Sequence, residues 1–139
     1  MSERELQEKV YQFQVLEEKF KELNQRRELF AVKLMEVEQT KQAIEDILNS
    51  NEEEIMIPLG SGVFAHGKVD KKQKMLVSFG SDIVIEKDVD EVKSILDKRK
   101  KILEEGIESV KDTMLKVAKD MQNIQYEAEE LISKQEKAG

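Results

Sequence analysis

The sequence contains no cysteine and no tryptophan, and only one proline and one histidine among its 139 residues. Without cysteine the chain can form neither a disulfide nor a thiolate metal site, and it has no thiol nucleophile. The single histidine, His66, excludes a metal site built from several imidazoles. The longest purely apolar run, Leu29 to Val32, is too short for a transmembrane helix or a signal-peptide core. We therefore expect a cytoplasmic protein without a membrane partner.

Charge of both signs is abundant, whereas aromatic residues make up only 5% of the chain. The charged fraction of 38% is well above that of an ordinary globular domain, so few side chains are left for a compact core. Acidic residues outnumber basic ones, 30 to 23, and the net charge is −7. Because phosphate binding requires clustered Lys and Arg, we expect no nucleic-acid partner. The one basic cluster, Lys98 to Lys101, is followed by Glu104 and Glu105, which favours pairing within a helix.

Two long charged segments flank a short middle of different composition. The first segment has neither glycine nor proline, whereas the middle holds the only proline and four of the six glycines. Short runs of Val, Ile and Phe also concentrate there, so the outer segments are predicted as helices and the middle as strands and turns. The predicted organisation is an N-terminal coiled-coil helix at 1–49, two β-hairpins at 50–87 and a C-terminal coiled-coil helix at 88–139.

Apolar residues recur every seven positions in both outer segments. In the first, two rows that begin at Leu6 and Lys9 are apolar at ten of thirteen places, and in the last the row from Val89 to Leu131 is apolar throughout. Narrow stripes held over this many heptads are typical of coiled-coil seams. One antiparallel register, in which paired residue numbers add to about 137, matches nearly every apolar layer. The exceptions are four long cationic side chains: Arg27, Lys41, Lys93 and Lys100. We expect an intramolecular antiparallel coiled coil.

The middle contains four strand-like runs, which are predicted to form two β-hairpins. The first run is expected to end at Ile57, before Pro58, and a turn is expected at 59–62. Two isolated hairpins of this size are only marginally stable in water. Their apolar faces need another sheet to cover them, and one chain offers little, so we expect the hairpins to be the element through which the protein oligomerises.

Catalytic chemistry has no support in the sequence. Gly60-Ser61-Gly62 lacks the Lys-Ser/Thr of a P-loop and the frame of a nucleophile elbow, and is interpreted as a hairpin turn. His66 falls within a predicted strand without a nearby Ser or Cys nucleophile, which favours a surface or interface role. Paired carboxylates such as Glu17-Glu18 are interpreted as solvated helix faces. We expect no enzyme, no metal and no cofactor.

The segment Ile57 to Val69 resembles the first hairpin of α-class prefoldin subunits, in which a Pro-Leu turn precedes an aromatic residue and a Gly-Lys pair. Leu76 to Gly80 and Ile83 to Lys87 are similar to the strand pair "V-x-V-G … V-E-K" of the same family. The β-class subunits carry one hairpin, so four strands indicate the α class. Ala65-His66, where eukaryotic members often have Val-Pro, favours an archaeal alpha subunit. The fold class that follows is α+β, mainly α.

The resemblance implies an ATP-independent chaperone. Two α-class and four β-class subunits would form a hexamer, in which the hairpins build a β-barrel platform and the coiled coils project from it. Unfolded client proteins would be held by the coil ends and transferred to a group II chaperonin. The alternative is a structural or filament-forming prefoldin-like coiled-coil protein, and an RNA-binding coiled-coil arm is disfavoured by the acidic balance.

Two sets of site residues follow from this interpretation. The first set comprises apolar residues near the free ends of the predicted coil, where few helical neighbours cover them and fraying exposes them. These client-binding candidates are Leu6, Val10, Phe13, Ile124, Leu131 and Ile132. The second set comprises apolar hairpin residues expected to contact partner subunits. These assembly candidates are Val63, Phe64, Val69, Val77, Phe79, Ile83 and Ile85.

Overall fold

A computed structural model describes residues 2–51 and 53–138 of the chain. Two long helices enclose four short strands in the sequence, so the fold class is α+β and mainly helical, as predicted. The elements are α1 (Ser2–Asn49), β1 (Glu54–Gly60), β2 (Val63–Lys68), β3 (Met75–Ser78), β4 (Val84–Lys87) and α2 (Val89–Ala138).

Both helices begin with acidic residues, and α1 ends with help from outside the helix. Asp90 and Glu91 lie in the first turn of α2, where negative charge interacts favourably with the helix dipole. The last turn of α1 contains no basic residue. Instead, the Nζ of Lys71 donates a hydrogen bond to the carbonyl oxygen of Ser50, directly after the helix. The loop between β2 and β3 thereby supplies the positive charge that the end of α1 lacks.

The chain divides into two compact units, and each helix contributes to both. The first, which we call the all-helical unit, contains the residues up to Lys33 and those from Leu103 onward. The second, which we call the hairpin unit, is Leu34–Ile102 and contains all four strands.

The core of the all-helical unit is a seam between the two helices. Leu23 of α1 is buried with three residues of α2, Val110, Met114 and Val117. Leu16, Phe20, Phe30 and Met121 pack against this cluster. These residues are members of the predicted apolar layers, so the antiparallel pairing within one chain is confirmed for this unit. The ring of Phe30 lies over Gly106, where an added Cβ would stand 3.2 Å from Cε2 of the ring.

The core of the hairpin unit combines both helices with a strand. Ile44 of α1 and Val92 and Leu96 of α2 are buried together with Val77 of β3. Val37, Leu48, Met75, Val89 and Ile95 pack against them. The second hairpin is therefore part of the core of its own chain.

The strands form two separate two-stranded antiparallel sheets, β1–β2 and β3–β4. Strand β1 continues through Pro58, which pairs with Phe64, and ends at Gly60 after an irregularity in the pairing. The prediction that this strand ends at Ile57 is wrong, because a two-stranded sheet has edge positions where the missing N–H of proline is tolerated. The turn between the strands is therefore shorter than the predicted 59–62 and consists of Ser61 and Gly62. Gly60 and Gly62 have positive φ angles of 114° and 77°.

Candidate functional site

The β1–β2 hairpin exposes apolar side chains on both faces. The pairing register places Met56 opposite His66 and Pro58 opposite Phe64 on one face. Ile57 and Ala65 are paired on the other face, where the side chain of Ile57 lies over Gly67. Exposed apolar residues of this hairpin are Met56, Ile57, Leu59, Val63 and Phe64. Exposed apolar side chains gathered on one short hairpin typically mark a site of association.

The predicted assembly residues fall into three groups in the structure. Exposed side chains, which a partner could reach, are Val63, Phe64, Phe79, Ile83 and Ile85. Val69 lies just beyond β2 and is half-buried, and its backbone N–H donates to the carbonyl oxygen of Glu53 at 3.0 Å. Val77 forms the third group on its own.

Val77 lies inside the hairpin unit instead of on its surface. Only 8% of the residue is exposed, because it packs against Ile44, Val92 and Leu96. Its neighbour Leu76 points to the opposite face of β3 and is 69% exposed. The expectation that one chain offers little to cover these strands is thus corrected for one face of β3, where Val77 and Met75 pack against the helices. Any contribution of Val77 to assembly would be indirect, through the placement of the hairpin on the helices.

Arg99 fixes the turn of the second hairpin to α2. Its Nη2 donates a hydrogen bond to the carbonyl oxygen of Ser78 at 2.9 Å, and its guanidinium lies 5.7 Å from the centre of the Phe79 ring. The sequence pattern pointed instead to pairing within the helix. The contact depends on how the hairpin docks on α2, which no local pattern in the sequence encodes.

Ion pairs join α1 to α2 within the hairpin unit. Three of the cationic partners, Lys41, Lys93 and Lys100, occupy predicted seam positions. The hydrogen bond from Lys100 lowers the pKa of the Glu38 carboxyl, and that from Lys41 lowers the pKa of Asp97. The hydrogen bond to Glu45 raises the pKa of the Lys93 ammonium. The nitrogen–oxygen distances are 2.6 Å for Lys41–Asp97, 2.7 Å for Lys100–Glu38 and 2.8 Å for Lys93–Glu45.

The predicted client-binding residues separate by their position relative to the seam. Four of them are half-buried: Leu6, Phe13, Ile124 and Leu131. Val10 and Ile132 lie off the seam and are exposed. Lys9 and Glu127 form an ion pair across the helices at 2.5 Å. The accessible apolar surface in this region therefore comes mainly from residues beside the seam.

Two shallow grooves flank Ile124 on either side of the helix pair. One has a volume of about 530 Å³ and is lined by residues that include Tyr11, Val15, Leu16, Asp120 and Glu127. The other has a volume of about 340 Å³ and is lined by residues that include Val10, Phe13 and Ala128.

Sequence reasoning missed three exposed apolar residues near the ends of the helices. These are Tyr11, Val15 and Tyr126, of which the first two line the larger groove. A search confined to the heptad rows overlooks them, since they lie outside those rows. The available signal was a large apolar side chain on an otherwise charged helix face.

Within residues 2–51 and 53–138 no cluster of three or more potential metal ligands is present. In that same part of the chain, no helix is long and apolar enough to cross a bilayer.

Comparison with known proteins agrees with this architecture. A family model described as "Prefoldin subunit" matches residues 16–134. The prefoldin alpha subunit of Archaeoglobus fulgidus is 35% identical, with 98% of each chain aligned. That of Pyrococcus horikoshii is 31% identical over 95% of this chain and 90% of its own length.

The fold also matches a solved structure, a filamentous PFD from Methanocaldococcus jannaschii determined by cryo-EM. The TM-score is 0.70 at 17% identity, and the match covers 86% of this chain and 98% of that one. Likeness at this level of identity concerns the fold. The family match and the relatives identified by sequence go further, and the chain belongs to the prefoldin family of chaperone subunits, among the archaeal alpha subunits.

Proposed function

We propose that the chain is a subunit of an ATP-independent chaperone, which assembles through its hairpins and holds unfolded proteins by the ends of its coiled coil. The observation that carries this proposal is the distribution of exposed apolar side chains. They lie on both hairpins and near the start of α1 and the end of α2, where they line two grooves, whereas others such as Leu29 and Leu115 lie along the middle of the helices.

Assembly would join two copies of this chain with four β-class subunits. Support comes from the β1–β2 hairpin, whose apolar side chains are exposed on both faces and whose two strands pair only with each other among the described residues. Such strands leave backbone donors and acceptors at both edges, available to a partner strand. Phe64 and Val63 would contribute apolar contacts to that interface.

Client binding would use the grooves on either side of Ile124. Each is lined by both apolar and charged side chains, such as Val15 and Asp120 in the larger groove and Phe13 and Glu17 in the smaller one. Shallow apolar surfaces of this size bind weakly, because little area is removed from water. Weak contacts released one at a time suit a protein that must hold non-native chains without trapping them.

Transfer to a group II chaperonin completes the proposal and is supported by family membership. The alternative is self-assembly into filaments, which is favoured by the filamentous state of the structural neighbour. Native mass spectrometry of the chain alone and with a β-class subunit separates the two. A complex of two alpha and four beta subunits is expected, whereas filaments of the chain alone would support the alternative.

The grooves can be tested by light scattering during aggregation of a denatured protein. The variant Tyr11→Ser with Val15→Ser removes groove residues that are 67% and 48% exposed. The matched control, Leu29→Ser with Val32→Ser, removes residues of the same helix that are 53% and 54% exposed and do not line either groove. We expect loss of protection for the first variant only. Equal protection by both assembled variants would place client binding elsewhere.

A further inference from the structure

Lysines occupy the seam between α1 and α2 in the hairpin unit. Lys41 lies in the row of α1 that begins at Leu6, and Lys93 and Lys100 precede Ile107 in a second row of α2, which continues to Met114 and Met121. Each forms an ion pair with a carboxylate of the other helix, and in each pair the two residue numbers add to 138. The lysines are therefore an ordered part of the pairing between the helices.

These positions carry a cost that apolar residues would avoid. The seam around them contains Ile44, Val92 and Leu96, all buried. Leucines at both 93 and 100 would extend the second row of α2, which is apolar from Ile107 to Ala128, by two heptads. Lysine at such a position lowers the stability of a coiled coil, but it restricts which helices can pair. The ion pairs are partly exposed, so their own contribution to stability is small.

We propose that the seam lysines select the partner of each helix: they favour antiparallel pairing of α1 with α2 and disfavour parallel pairing of either helix with its counterpart in a second copy. In a parallel α2–α2 pair, Lys93 would face Lys93 and Lys100 would face Lys100. The same holds for Lys41 in a parallel α1–α1 pair. In the observed antiparallel pairing, each ammonium instead finds a carboxylate.

The positions of the carboxylates that pair with these lysines also favour the antiparallel α1–α2 arrangement. Glu38 and Glu45 accept from α2 lysines, and Asp97 accepts from an α1 lysine, so both helices contribute both signs. The lowered pKa of Glu38 and Asp97 shows that the neighbouring ammonium groups stabilise their charged forms. A parallel pair of identical helices would remove these partners from the seam lysines.

Partner choice can be measured with a single cysteine, since the natural chain has none. Leu96→Cys places a thiol in the row of α2 that begins at Val89, where a parallel α2–α2 pair would bring two such thiols together. The full-length chain is equilibrated in a glutathione redox buffer, and the disulfide-linked dimer is quantified by non-reducing electrophoresis. Circular dichroism of each variant reports its helix content.

Replacing Lys93 and Lys100 by leucine in this background should raise the dimer fraction several-fold. The matched control replaces Lys98 and Lys101, which are exposed on the same helix, and it changes charge and apolar content equally. The control should leave the dimer fraction at the level of the unmodified chain. An equal dimer fraction in both variants would overturn the proposal.

A second variant separates charge from folding. Lys93→Glu and Lys100→Glu are combined with Glu45→Lys and Glu38→Lys, which reverses both ion pairs across the helices. Identical charges would still face each other in a parallel pair, so the dimer fraction should remain low. A high dimer fraction in this helical variant would contradict the proposed selection.

Discussion

The all-helical unit and the hairpin unit bury their apolar side chains in different ways. In the all-helical unit the core is a stack of side chains from two helices, centred on Leu23 and Val117. In the hairpin unit a strand contributes Val77 to the core, and ion pairs with seam lysines replace part of the apolar stack. The comparison shows that one helix pair can be held by two different combinations of forces along the same chain.

The largest effect is expected from a charge in the core of the hairpin unit. Val77→Asp would bury a carboxylate without a partner and destabilise the unit by roughly 3 kcal/mol, or displace the hairpin from the helices. Native mass spectrometry should show loss of assembly while circular dichroism retains most of the helical signal.

The control for that variant is Leu76→Asp, one residue away on the exposed face of β3. Its effect on the free energy of unfolding should lie within about 0.5 kcal/mol. Equal destabilisation by both substitutions would mean that the core of the hairpin unit does not depend on the face of β3 that Val77 occupies.

The next largest effect concerns the all-helical unit. Leu23→Ala removes a buried side chain from a stack that has no strand to fill the space, which should cost about 2 kcal/mol of unfolding free energy. Urea denaturation followed by circular dichroism measures this change. Leu29→Ala in the same helix is the control, because Leu29 is exposed and its loss should be nearly neutral. A neutral Leu23→Ala would show that this unit is not held by its apolar layers.

A smaller effect is expected at Arg99. Arg99→Ala removes the hydrogen bond to Ser78 and the cation over Phe79, together worth about 1 kcal/mol. Hydrogen exchange of the β3–β4 amides should accelerate, whereas exchange in the all-helical unit should not change. Lys98→Ala serves as the control, and acceleration by both variants alike would assign the effect to lost charge.

The smallest effect is a pH dependence of the hairpin unit. The ordinary pKa values of Glu38 and Asp97 are 4.5 and 3.8, and both are lowered in the folded chain. Their contribution is present above those values and is lost as pH falls through the lower folded values. For Lys93 the folded pKa lies above its ordinary 10.5, so its contribution is lost as pH rises through that higher value.

Hydrogen exchange, corrected for intrinsic rates and compared between pH 6 and pH 3, would measure the stability that the hairpin unit loses in acid. The combined variant Glu38→Gln with Asp97→Asn should flatten the response of the hairpin unit. An unchanged response would assign the acid sensitivity to other carboxylates.

Sequence patterns predicted the helices and their pairing well, because heptad spacing is a property of the sequence itself. The layers around Leu23 and Met114 could be placed before any coordinates were known. The positions of Val77 and Arg99 could not, since alternation along β3 defines two faces but does not say which one meets the helices. Tyr11 was missed for a different reason: a heptad search discards residues outside its rows.

The packing of the Phe30 ring over Gly106 affects how the two helices can slide along each other. Glycine inside a helix costs about 1 kcal/mol relative to alanine, yet here it leaves room for an aromatic ring. If the helices slid past each other by one heptad, the ring would meet Thr113 or Arg99, each of which carries a Cβ where the ring now rests. The glycine therefore favours the observed axial register of the two helices within the all-helical unit.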